Sequence, residues 1–82
     1  MKYILDANEM TTKENAHAYL KEQLELPEYY GMNLDALHDC LTDMENVEIE
    51  FIHMPEDKKA YVWKVWKVVS KSVENAKIVE LL

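Results

Sequence analysis

The sequence contains few of the residues that break regular structure or crosslink a chain: one glycine, two prolines and one cysteine among 82 residues. So little glycine and proline favours regular helices and strands joined by short loops. The single cysteine, Cys40, excludes an internal disulfide. The N-terminus also lacks the basic segment and apolar run that are typical of a secretion signal, so we expect a cytoplasmic protein.

Long hydrophobic runs are absent as well, and none approaches the roughly 20 residues needed to cross a bilayer. We therefore expect no membrane role.

Basic residues are outnumbered, with nine Lys and Arg against sixteen Asp and Glu and a formal net charge of −7. This balance disfavours direct binding of nucleic acid and steers basic proteins toward the chain. An acidic surface that merely keeps the protein in solution is the simpler alternative.

The length and the spacing of apolar residues predict a single domain over residues 1–82. Lys2 to Asp6 is a β-rich run that predicts a first strand. Thr11 followed by Glu14 matches a capping box and predicts the start of a first helix, whose apolar spacing continues until Pro27. A second helix follows this proline.

The second half of the sequence predicts a strand, a long helix and a final strand. Val47–His53 alternates apolar and acidic residues before turning apolar, as a strand does. Between Pro55 and Glu74 the β-branched content suggests a strand, but the lysines recur at helical spacing and predict a helix. Lys77–Leu82 supplies the last strand. The predicted fold is α/β, with a small three-stranded parallel sheet and helices packed on it.

The second helix begins at Asn33, a good N-cap, and its apolar residues fall on one face. We expect that face to pack into the core: Leu34, Leu37, Leu41 and Met44. The opposite side presents polar residues at the same helical spacing: Asp35, His38, Asp39 and Thr42.

Two carboxylates on this outward side carry an energetic cost. Asp35 and Asp39 are like charges one helical turn apart, which destabilises a helix by a few tenths of a kcal/mol. Asp35 alone is explained as a first-turn carboxylate favoured by the helix dipole. Asp39 lies beyond that turn, so its presence favours a functional reason over a merely solvated face.

The segment from Leu26 to Asp39 reads Leu-Pro-Glu-Tyr-Tyr-Gly-Met-Asn-Leu-Asp-Ala-Leu-His-Asp. It closely resembles the barstar family, intracellular inhibitors of barnase-like ribonucleases, whereas the rest of the chain is similar in pattern only. The resemblance implies a three-stranded parallel sheet with packed helices and a protein without enzymatic activity or cofactor. It also implies that the chain, monomeric when free, blocks the active site of a basic, extracellular-type ribonuclease.

In this family the second helix and the loop before it enter the active-site cleft of the nuclease. By the resemblance, Asp39 has the central role, as a carboxylate in the place of a substrate phosphate. We add His38 and Asp43, where the chain departs from the family pattern. The candidate partner-binding residues are Tyr29, Gly31, Asn33, Leu34, Asp35, Ala36, His38, Asp39, Thr42 and Asp43.

Those departures bear on the partner. The family pattern has tryptophan at the position of His38 and a Gly-Trp pair where this chain has Asp43 and Met44. The acidic residue that the family's last long helix offers to the nuclease has no counterpart in Val69–Val73. A partner that differs from barnase is therefore favoured. A second interpretation stays open, namely an immunity or regulatory module that binds a non-ribonuclease toxin or another cellular protein.

Within the segment, we expect Tyr29 to face the partner and Tyr30 to pack behind the loop. Gly31 is predicted to adopt the left-handed conformation that turns the loop into the helix, with its backbone still able to touch the partner. On the long helix, Trp66 is expected in the core. Trp63 is expected at the boundary under a loop, with a second partner contact as the alternative.

The three histidines, His17, His38 and His53, belong to different elements, so we expect no metal site. No base stands at helical spacing from Cys40, which disfavours a Cys-His catalytic pair and favours a small packed residue. His38 lies beside two carboxylates, and its titration near neutral pH is predicted to tune binding.

Overall fold

The computed structural model describes residues 1–79 and confirms the predicted α/β class. Within that range the chain forms three strands, three α-helices and a short 3-10 turn at Ala7–Glu9. The elements, in chain order, are β1 Lys2–Asp6, α1 Lys13–Gln23, α2 Leu34–Thr42, β2 Glu48–Ile52, α3 Tyr61–Ser72 and β3 Asn75–Ile78.

The sheet is parallel throughout, with β2 between β1 and β3. Tyr3 lies opposite Ile49 on one side of β2, and Ala76 lies opposite Ile49 on the other. Because strands that follow one another in the chain pair in parallel, helices must return the chain between them. The predicted topology is confirmed.

Both ends of α1 differ from the prediction. The N-cap of α1 is Thr12, whose hydroxyl accepts from the Asn15 amide at 3.1 Å, so the predicted capping box of Thr11 and Glu14 is wrong. The helix also stops at Gln23 and leaves a loop through Pro27 to Asn33. A run of two threonines offered two equivalent caps, and sequence spacing did not distinguish them.

The last strand begins two residues earlier than predicted, at Asn75 rather than Lys77. The end of the predicted strand, Glu80–Leu82, lies outside the described residues. The second strand is shorter by one residue at each end than the predicted Val47–His53. His53 has a φ of 59°, so the backbone turns out of the extended conformation there.

One face of the sheet packs against the helices, and the other carries a charged cluster at its centre. Leu5, Ile49 and Phe51 are fully buried on the helix side. On the opposite side Glu50 is 8% exposed and bonds Lys2 at 3.0 Å and Lys77 at 3.5 Å. The hydrogen bond from Lys2 lowers the pKa of Glu50. The Glu50 carboxylate, on the central strand, thus pairs with one lysine from each edge strand.

The two tryptophans of α3 occupy its flanks. Trp66 is half-buried rather than fully in the core, and it packs edge-to-face on Phe51 with ring centroids 5.5 Å apart. Trp63 lies at the boundary, as predicted. Its indole N–H donates to the Pro55 carbonyl at 3.0 Å, and Lys58 Nζ lies 3.5 Å from the ring centre.

A buried histidine connects α1, the loop before α2 and α3. His17 is 1% exposed, with Nδ1 2.6 Å from the Tyr30 hydroxyl and Nε2 2.7 Å from the Tyr61 hydroxyl. The Tyr30 hydroxyl in turn donates to the Asn33 carbonyl in a longer bond of 3.4 Å. Both ring nitrogens therefore have partners in otherwise apolar surroundings, where an unpaired nitrogen would be costly.

The hydrogen bonds of His17 suit a neutral imidazole. Burial lowers the pKa of His17, with a further contribution from Lys13, so the ring is neutral and has one N–H. One ring nitrogen therefore donates to a tyrosine hydroxyl, and the other accepts from the second tyrosine hydroxyl. This series of hydrogen bonds runs from α3 through α1 to Asn33, the N-cap of α2.

Replacing Tyr30 with phenylalanine should destabilise the fold. The change removes one hydroxyl and leaves the buried Nδ1 of His17 without its hydrogen-bond partner. We expect the free energy of unfolding to fall by about 1–3 kcal/mol, as for other unsatisfied buried groups. Urea denaturation followed by circular dichroism measures this.

The adjacent Tyr29→Phe variant is the matched control, because Tyr29 is 85% exposed and loses the same atom. Its free energy of unfolding should stay within about 0.5 kcal/mol of wild type. Equal effects of the two substitutions would contradict the role of the buried bond.

The stability of the fold should also depend on pH through His17. Its folded pKa lies below the ordinary 6.5, so the unfolded chain takes up a proton that the folded chain does not. Unfolding free energy should therefore fall as pH is lowered from about 6.5 toward the folded pKa, by at most about 1.4 kcal/mol per pH unit. Denaturation at stepped pH should show a flatter profile for His17→Gln than for wild type, and parallel profiles would refute the assignment.

Candidate partner-binding surface

The loop between α1 and α2 is anchored by buried side chains, with Tyr29 projecting from it. Leu24, Leu26 and Tyr30 are buried, whereas Tyr29 is 85% exposed. Tyr30 packs behind the loop as predicted, and Tyr29 is accessible, while its contact with a partner stays a prediction. An aromatic ring held out from an anchored loop exposes contact area with little freedom left to lose on binding.

The turn into α2 is made by Met32 rather than by Gly31. Met32 has a φ of 56°, and Gly31 is not in the left-handed region, so the predicted role of Gly31 is wrong. A Cβ at position 31 would lie 3.2 Å from Asn33 Nδ2 and 3.3 Å from Ala36 Cβ. Glycine at this position avoids these tight contacts with the side chains of Asn33 and Ala36.

Asn33 closes this turn with both ends of its side chain. Oδ1 accepts from the Ala36 amide at 2.8 Å, which is the predicted N-cap, and Nδ2 donates to the Gly31 carbonyl at 3.1 Å. The cap satisfies an amide that the first helical turn leaves unpaired. The loop and the first turn of α2 therefore form one continuous structure.

The two faces of α2 separate as predicted. Leu37 and Leu41 are fully buried as predicted. Leu34 and Met44 are only half-buried against the core, and Met44 lies beyond the end of α2 at Thr42. The candidate residues are all accessible to a partner. Leu34 and Ala36 are half-buried, and the remainder are exposed: Tyr29, Gly31, Asn33, Asp35, His38, Asp39, Thr42 and Asp43.

The carboxylates of this surface form no ion pair within the described part of the chain. None of Asp35, Asp39 and Asp43 forms an ion pair with any residue between positions 1 and 79. Thr42 uses its hydroxyl hydrogen on the Asp39 carbonyl, at 2.9 Å, which leaves the Asp39 carboxylate open. The outward face of α2 thus offers hydrogen-bond acceptors to a partner that supplies donors.

A contact that the sequence did not reveal joins His38 to α3. His38 Nδ1 lies 2.7 Å from the Ser72 hydroxyl oxygen. The two residues are 34 positions apart, so no local spacing could have indicated the pair. The predicted face is therefore continued by a residue of α3, and the imidazole has a fixed position on it. The effect of His38 titration on binding stays a prediction.

Acidic and basic residues are segregated along the chain, and the binding surface lies in the acidic part. Between Lys21 and Lys58 the sequence contains acidic residues and neither lysine nor arginine, whereas Lys58 to Val73 contains lysines and no acid. The loop, α2 and β2 lie in the first of these stretches. A field of one sign around a binding surface accelerates encounter with an oppositely charged partner.

The described residues contain no group of three His, Cys, Asp or Glu side chains that could bind a metal ion. Cys40 is half-buried and packs against the core, and burial raises the pKa of its thiol, with Asp39 and Asp43 adding to the effect. A thiol kept protonated is a poor nucleophile. No helix in residues 1–79 is long and apolar enough to cross a membrane.

Comparison with known proteins places the chain in one family. Residues 1–77 match the family described as Barstar (barnase inhibitor). A Bacillus subtilis (strain 168) protein named "Putative ribonuclease inhibitor YrdF" is 41% identical over 51 residues, which are 62% of this chain and 56% of that protein. The match thus spans little more than half the length of this relative. With the family match covering nearly all of the sequence, and with the parallel sheet and the loop–α2 surface in place, the chain belongs to the barstar family.

Proposed function

We propose that this chain is a non-catalytic inhibitor of a basic, barnase-like ribonuclease, and that the loop and α2 fill the nuclease active site. The observation that carries the proposal is the pair of exposed carboxylates, Asp35 and Asp39, on a helix whose start is fixed by the Asn33 cap. Membership of the barstar family and the name of the Bacillus relative support it. The inhibitor acts in the cytoplasm and is a monomer when free.

The chemistry of the target explains why carboxylates serve this purpose. A ribonuclease binds a phosphodiester through cationic side chains, so its empty cleft is an array of charged hydrogen-bond donors. A carboxylate accepts such bonds in the manner of a phosphate, and charge-assisted bonds are about twice as strong as neutral ones. Asp39, in the middle of α2, takes the place of the substrate phosphate. Asp35 supplies a second acceptor one turn away.

Rigidity of the surface contributes to affinity. The buried anchors Leu26 and Tyr30, the cap by Asn33 and the bond from Tyr30 to His17 fix the loop before the partner arrives. Less conformational entropy is then lost in the complex. Tyr29 and the half-buried Leu34 provide apolar contact around the carboxylates.

Removing the Asp39 carboxylate should weaken binding strongly. The Asp39→Ala variant leaves cationic groups of the nuclease buried without a partner. We expect a loss of well over about 2 kcal/mol in binding free energy, typical of a central interface residue. Titration of ribonuclease activity with the purified inhibitor gives the dissociation constant.

Glu22→Gln is the control, since Glu22 is an exposed carboxylate on α1 and the change also removes one negative charge. Its dissociation constant should stay within a few-fold of wild type, and both variants should unfold like wild type. An Asp39→Ala inhibitor that binds as tightly as wild type would rule out phosphate mimicry by Asp39.

Association should slow as salt is added, because the net charge of −7 attracts a basic nuclease over several ångströms. Raising the ionic strength from about 0.01 M to about 1 M shortens the screening length from about 30 Å to about 3 Å. Stopped-flow measurement should show a falling association rate constant and a smaller change in dissociation. An association rate indifferent to salt would indicate an interface governed by apolar contact.

A second function is favoured by the residues that differ from the family pattern, His38, Asp43 and Met44. An immunity or regulatory module that binds a non-ribonuclease toxin, or another cellular protein, would use the same scaffold with these changed contacts. Inhibition assays on a panel of small basic secreted ribonucleases, including that of the host, separate the two. Inactivity against the whole panel would favour the second function.

A further inference from the structure

We propose that His38 is a specificity-determining residue of the binding surface and that Ser72 positions it as a hydrogen-bond acceptor toward the partner. The inference rests on the proposed function, because it assigns a role at the same site. It comes from two hydrogen bonds that meet at one hydroxyl group, between α2 and α3.

The hydroxyl of Ser72 has already used its only hydrogen. Its oxygen lies 2.6 Å from the Val68 carbonyl oxygen, one turn earlier in α3. Two oxygens this close require a hydrogen between them, and the carbonyl has none to offer. The Ser72 hydroxyl therefore donates to Val68 and can only accept from His38.

This direction determines the tautomer of His38. Nδ1, 2.7 Å from the Ser72 oxygen, must be the nitrogen that bears hydrogen. In the neutral ring the other nitrogen, Nε2, is then an acceptor. His38 is exposed, so Nε2 is available on the same surface as the candidate carboxylates.

The result is a row of acceptors along α2. Asp35 precedes His38 by one turn and Asp39 follows it directly, and a neutral Nε2 between them adds a third acceptor without adding charge. A nuclease that fits this chain must place a donor opposite His38. The tryptophan of the family pattern bears an indole N–H and no acceptor, so the two surfaces select different nuclease residues.

Protonation of His38 would reverse this preference. It turns Nε2 into a donor and adds positive charge where a cationic cleft approaches. The charged groups that flank the His38–Ser72 pair are Asp35 and Asp39 on α2, Lys71 on α3 and Glu74 just after it. Binding to a basic nuclease should therefore weaken as the solution becomes acidic.

The first test is made on the free chain. Long-range proton–nitrogen NMR on ¹⁵N-labelled protein identifies the tautomer of each histidine. We expect the Nδ1–H form for neutral His38, a shift toward the Nε2–H form in Ser72→Ala, and the wild-type form in Ser72→Thr, whose hydroxyl can also bond the carbonyl one turn back. A neutral His38 in the Nε2–H form in wild type would overturn the proposal.

The second test measures binding to barnase and to other small basic secreted ribonucleases between about pH 5.5 and pH 8. Each pH compares wild type with His38→Gln, which keeps a polar end at this position but does not titrate. Because the nuclease and the other histidines titrate equally in both measurements, the affinity ratio isolates His38. We expect wild type to lose about tenfold relative to His38→Gln on acidification, equivalent to about 1.4 kcal/mol. Ser72→Ala should weaken binding at pH 8, and Ser72→Thr should restore it.

The outcomes separate this inference from the function on which it rests. A constant ratio, for a nuclease whose binding is lost in Asp39→Ala, would overturn the role of His38 and leave the inhibitor function standing. Failure of every nuclease in the panel to bind would overturn both. Thermal unfolding of each variant at each pH confirms that folded protein is compared.

Discussion

The hydrogen-bonded contact of His17 with two tyrosines is the interaction on which the rest of the structure depends. It lies where α1, α3 and the loop before α2 meet, and its three side chains come from three separate parts of the chain. A neutral imidazole can bridge two hydroxyl groups because it donates at one nitrogen and accepts at the other. An apolar side chain here would remove a hydrogen-bond partner from each tyrosine hydroxyl, one of them on the buried Tyr30.

From this contact a series of hydrogen bonds extends outward to the surface. Tyr30 reaches the Asn33 carbonyl, Asn33 caps α2, and the cap sets the direction in which Asp35 and Asp39 leave the helix. At Gly31 a side chain would make tight contacts with Asn33 and Ala36, at 3.2 and 3.3 Å. A surface built in this way presents charge without rearranging, so less conformational entropy is lost when a partner binds.

Much of the fold was predictable because its patterns are local. Strand alternation, the lysine spacing of α3 and the Asn33 cap each depend on neighbours within one or two turns, and the structure confirms them. The incorrect predictions lie where two local signals are equivalent or where contacts outside the local pattern determine the structure. Thr11 and Thr12 are equally good caps by type. Gly31 avoids tight contacts with Asn33 and Ala36 and does not have a positive φ. The strand β3 begins where β2 offers its pairing partners.

The sequence by itself determined which residues of α2 face outward, since helical periodicity assigns a face to every position once the cap is known. It also determined the acidic character of that region and the family resemblance of Leu26 to Asp39. Only the tertiary structure decided that His17 is a buried anchor, that Met32 makes the turn, and that Ser72 meets His38. The contacts of His17 and Ser72 join elements far apart in the chain, and they exist only after the helices have packed on the sheet. The turn at Met32 is closed by the side chain of Asn33.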